Sequence, residues 1–122
     1  MLATLSLAGA CAAGASAAGP LAITTSSTTV STRGFLAVRA RCASSTICRG
    51  TMTVRAFGRL VGRGSFVIRA HRSGMVVAVI DARARRSLFR THRTRATVTL
   101  VARYATVARY VTIAAPPGGF SG

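Results

Sequence analysis

The chain has 122 residues, half of them apolar, enough for one small domain with a modest core. Seventeen residues are Arg or Lys and one is acidic, a formal net charge of +16 at pH 7. One carboxylate cannot supply the acid and base of a carboxylate pair, and so much positive charge favours adhesion to polyanions.

All seventeen cations are Arg. With abundant Ala, Gly, Val and Thr this fits a GC-rich coding sequence, so the guanidinium alone is no sign of selection for bidentate recognition. A spurious GC-rich reading frame would not keep hydrophobicity alternating through segment after segment, as this chain does.

Residues 1–19, MLATLSLAGACAAGASAAG, are uncharged, and the ASA at Ala15–Ala17 fits a small-residue cleavage site. This predicts a signal peptide or N-terminal hydrophobic leader; a membrane anchor is the weaker reading, because Ala and Gly are only weakly apolar. No positive residue precedes the segment, which points to a start further upstream. Cys11 follows LAGA, similar to a lipoprotein box with its Leu one place early, so lipidation stands beside removal with the leader. Export leaves Cys42 and Cys48 in an oxidising environment, where a disulfide is expected. Zinc would need two more ligands, and neither His71 nor His92 stands at a ligand spacing. Five residues between the cysteines do not fit the C-x-x-C redox pattern.

The domain is expected over 20–115. LAITTSSTTVSTRG suggests an edge strand followed by a turn. FLAVRARC, 35–42, puts Leu36, Val38, Ala40 and Cys42 on one face, with Arg39 and Arg41 on the other. TMTVRAF, 51–57, alternates Met52, Val54 and Ala56 with Thr51, Thr53 and Arg55. Period two of this kind predicts half-buried antiparallel strands. GRLVGRG, 58–64, reads as a Gly-rich turn and lacks the Lys-Ser/Thr of a phosphate loop. SFVIRAH, 65–71, is a strand with Phe66, Ile68 and Ala70 on one side, and MVVAVI, 75–80, one with Val76, Ala78 and Ile80 inward.

DARARRSLFRTH, 81–92, predicts a short helix with Asp81 as N-cap, Arg90 and His92 at its negative end, and Leu88 and Phe89 plugging the core. RATVTLVARY, 95–104, alternates, with Tyr104 inward by parity. It is paired with VARYVTIA, 107–114, where Arg109 shares the inward parity of Val111 and Ile113 and so needs a bulge or a place at the sheet margin. Residues 116–122 lack periodicity and read as a disordered tail or linker. The whole predicts an all-β, antiparallel sandwich of about seven strands with one short helix in a late connection.

The ordered set Cys42, Cys48-Arg49-Gly50, Gly74, the Leu88-centred helix and the Thr-rich strand 95–101 resembles a small Ig-like β-sandwich domain recurrent in exported proteins of high-GC Gram-positive bacteria. The likeness spans about residues 30–115. It implies a secreted or cell-envelope module that is not an enzyme, and it carries no catalytic residue, metal or cofactor. The turn YATVARY departs from the polar turn of that family.

Six arginines within thirteen residues, Arg83, Arg85, Arg86, Arg90, Arg93 and Arg95, are the candidate contacts for anionic wall polymer or a membrane surface. Arg39, Arg41, Arg55, Arg69 and Arg103 are also outward by parity, which spreads charge round the molecule and makes a solvated face the plain alternative. Specific nucleic-acid recognition would need a groove-entering element or stacking aromatics, neither of which the pattern supplies. The Ser and Thr residues form no nucleophile elbow, and no small-molecule substrate is indicated. A structural or adhesive envelope module is therefore expected, with a generic polyanion-binding protein as the alternative.

Overall fold

The computed structural model describes residues 19–120. Among these residues eight strands and one helix follow in the order β1 (Leu21–Ile23), β2 (Ser27–Thr29), β3 (Phe35–Cys42), β4 (Cys48–Ala56), β5 (Arg59–Ile68), β6 (Ser73–Ile80), α1 (Ala82–Thr91), β7 (Arg93–Ala102) and β8 (Thr106–Ala114). The class is all-β, as the alternation predicts. The leader, Ala15–Ala17 and Cys11 lie outside the described residues.

The strands form one sheet in the order β1-β3-β6-β5-β4-β7-β8-β2, antiparallel except for β2 on β8. β1 and β2 are the two ends of that order, yet only residues 24–26 separate them in the chain. The sheet must therefore curl until its edges meet. Arg109 lies at that seam: its Nη1 donates to the Ile23 carbonyl at 2.8 Å. This is the marginal position that its inward parity requires, and the guanidinium occupies hydrogen-bonding groups that an open edge would expose.

Inside the curl, every second residue is buried, with Leu36, Val38, Met52, Val54, Ala78, Val98, Leu100 and Val111 fully enclosed. No polar or charged side chain is buried among the described residues. Cys42 and Cys48 are disulfide-bonded, with their Cα atoms 5.9 Å apart. β3 and β4 are not sheet neighbours, so the bridge ties two parts of the curl at the end where the 43–47 loop crosses.

Several expectations are corrected. The segment 58–64 is not a turn: the reversal occupies Phe57 and Gly58, both at positive φ, and β5 begins at Arg59. Gly64 belongs to the strand, where a Cβ would overlap the Val77 carbonyl, so close approach to β6 is what glycine permits there. Ala70 lies beyond β5 and is half-buried. Tyr104 is 81% exposed because β7 ends at Ala102 and Tyr104 turns out with the Arg103–Ala105 loop. The 20–33 stretch yields two strands in place of one.

Candidate functional site: an arginine-lined recess beside the helix

α1 starts where Asp81 stops β6 from continuing. The Asp81 carboxylate accepts from the Ala84 amide at 2.7 Å, the N-cap role its position predicts. The same carboxylate takes a two-pronged contact from Arg59, at 2.8 and 3.1 Å, which fastens the helix start to β5. The Arg59 hydrogen bonds, the Ala84 amide and the neighbouring positive charges of Arg59 and Arg83 outweigh desolvation and hold the carboxyl down at about 2. At the other end, the His92 amide donates to the Leu88 carbonyl, with φ of His92 at 69°. His71 also has positive φ, at 59°, so both histidines serve chain reversals.

Only Ala84 and Leu88 of the helix are buried. Phe89 does not plug the core. It is 55% exposed, because the 100° step per residue turns it off the Leu88 face. It borders a recess of about 530 Å³ between the outer side of α1 and the chain after β8, lined by Arg85, Arg86, Phe89, Arg90 and Phe120. Nothing in the composition of the tail gives it a fixed place, yet its described part folds against the helix: Gly119 donates to the Pro116 carbonyl at 2.9 Å, and a Cβ on Gly119 would lie 3.0 Å from the Phe89 ring.

Arg85 is held in position. Its Nη1 donates to the Ile80 carbonyl at 2.6 Å, and its side chain crosses Gly34, where a Cβ would come within 2.8 Å. Gly34 has φ of 88°, a conformation costly for other residues, so this turn needs glycine twice over. Arg86 and Arg90 are exposed on the same side of the helix.

The six candidate arginines thus divide. Arg85, Arg86 and Arg90 share the recess. Arg83 lies exposed near the Asp81 cap, and Arg93 is exposed at the start of β7. Arg95 is outward on β7, its guanidinium 5.1 Å from the Tyr110 ring centre on β8. Sequence reasoning missed Phe89 and Phe120 as walls. The helical spacing of Ala82, Arg86, Phe89 and Arg90 carries the first; the second needs the tail's return.

Arg85, Arg86 and Arg90 line the recess, the Arg85 guanidinium already donating to the Ile80 carbonyl, and the chain's one acidic side chain is bound to Arg59 instead. Such a site can bind an anion by forked hydrogen bonds and set an apolar neighbour against two phenyl rings. Among the described residues that line it, none is Asp, Glu or His. A second recess, about 390 Å³, lies at the far end of β7 between the disulfide loop and Tyr104. Among the described residues no group of three or more His, Cys, Asp or Glu is placed to hold a metal, and no helix is long and apolar enough to cross a membrane.

No family model matches the chain, and no curated protein matches it. Among solved structures it is similar to the crystal structure of the YadV chaperone, with a TM-score of 0.55 and 13% identity, over 85% of this chain and 55% of the chaperone chain. The chain thus spans about half the length of that structure, and at this identity the likeness concerns the fold alone.

Proposed function

We propose that this protein is a non-catalytic, Ig-like β-sandwich module of the cell exterior or envelope that holds anionic groups against Arg85, Arg86 and Arg90. The Ig-like reading is supported by the first segment dividing between the two sheet edges, and the likeness to the chaperone supports a β-rich fold. The exterior location is supported by the disulfide, which persists in oxidising compartments. One observation carries the binding role: three arginines and two phenylalanines line one recess, with Arg86 and Arg90 exposed on it, while the sole side-chain carboxylate is engaged elsewhere. The ligand class is a phosphate-bearing envelope polymer.

The test is binding to polyglycerol phosphate, comparing Arg86→Gln/Arg90→Gln with the charge-matched pair Arg55→Gln/Arg72→Gln, both of whose arginines are exposed away from the recess. The recess pair is expected to weaken binding about tenfold more than the control pair. Equal losses, with DNA and heparin bound as well as the polymer and all released by salt, would instead establish generic polyanion binding.

A further inference from the structure

The outer face of β3, β6 and β5 differs from the rest of the surface. Strand register sets Phe35 beside Val79, Ala37 beside Val77 and Arg39 beside Met75; Val79 in turn lies beside Arg63. Val67 on the same strand as Arg63 pairs with Arg49 on β4. Phe35, Val67, Met75, Val77 and Val79 are large apolar side chains each 43–58% exposed, with Met75, Val77 and Val79 following one another on the outer face of β6 and Phe35 beside Val79. Around them stand Arg39, Arg41, Arg49 and Arg63, all exposed. None has a side-chain carboxylate to pair with, because the chain's one acidic residue, Asp81, is held by Arg59.

Charge decides what can cover this face. A second copy would bring an identical set of unpaired guanidiniums against the first and trap like charges round a dry patch. The outside of a curled sheet is convex, so its occupant must conform to it. An anionic lipid surface meets both demands: its acyl boundary receives short aliphatic side chains, and its phosphates face the surrounding arginines. We infer that the protein lies on anionic lipid through the outer face of β3, β6 and β5, with Met75, Val77 and Val79 entering the acyl boundary and Arg39, Arg41, Arg49 and Arg63 on the headgroup phosphates. The inference rests on the envelope reading above but uses a different surface from the recess.

Co-sedimentation with phosphatidylglycerol-containing vesicles and with pure phosphatidylcholine vesicles tests it, alongside polyglycerol phosphate, at low and high salt. Wild-type protein is expected on the anionic vesicles only, and part of that binding survives salt that releases the polymer. Met75→Gln/Val77→Thr/Val79→Thr should lower the salt-resistant part about tenfold and leave polymer binding and thermal melting unchanged. Val77→Thr alone should give a smaller loss in the same direction, and Val101→Thr on β7 none. If salt strips wild type from vesicles and polymer alike, or the triple variant binds vesicles as wild type does, the inference falls. It falls equally if the triple variant abolishes a dimer, since the occupant is then a second copy. Loss of polymer binding in Arg86→Gln/Arg90→Gln with vesicle binding intact separates the two surfaces.

Discussion

At Asp81 one carboxylate accepts from a helix amide and from both prongs of Arg59, so strand end, helix start and the neighbouring strand meet at a single side chain. Asp81→Asn keeps an oxygen for the Ala84 amide and loses only the ionic contact, which is largely exposed and worth little. Asp81→Ala loses the cap as well and should cost about 1 kcal/mol, read by thermal or urea melting. The pH dependence follows from the direction of the shift. The folded carboxyl lies at about 2 against an ordinary 3.8, so its contribution is present above 3.8 and is lost as pH falls toward 2. Stability should therefore decline over that interval, by less than about 1 kcal/mol given the exposure, and Asp81→Asn should flatten the decline.

Among the elements, the disulfide is the most consequential local device in a core this small. Its loop is short, so the entropy removed from the unfolded chain is worth about 2 kcal/mol. Cys42→Ser/Cys48→Ser should lower the free energy of unfolding by about that amount, and reductant should lower the wild-type Tm while leaving the double variant unmoved. Much of this level was legible in the sequence. Alternation located β3, β4, β6 and β7, and Asp81 located the helix start, because burial of one face and capping of free amides leave local traces. Residues 58–64 were not legible, since glycine serves a turn and a close strand contact equally well and only the position of β6 distinguishes them. Tyr104 shows the other limit: parity describes a residue only while the strand continues. The recess was half legible, its arginines from their clustering and its Phe120 wall not at all, because a packed tail leaves no period.

The molecule as a whole presents two surfaces of different character on one curled sheet: an arginine-lined recess beside α1 and a guanidinium-framed apolar face across β3, β6 and β5. A charge made of guanidinium does not fade at alkaline pH as an ammonium does, so anion binding should follow ionic strength far more than pH. The closure of the sheet has a mechanical consequence. β2 and β8 run side by side in the same direction, matched at Ser27 with Thr112, Thr28 with Ile113 and Thr29 with Ala114. Once tension applied through the two ends of the domain has drawn the three-residue β1 off β3, it would enter β2 at its start and leave β8 at its finish, straining those rungs together in shear instead of unzipping them singly. Single-molecule pulling should then meet an abrupt, high-force rupture that Thr28→Pro abolishes; gradual peeling at low force would contradict the arrangement.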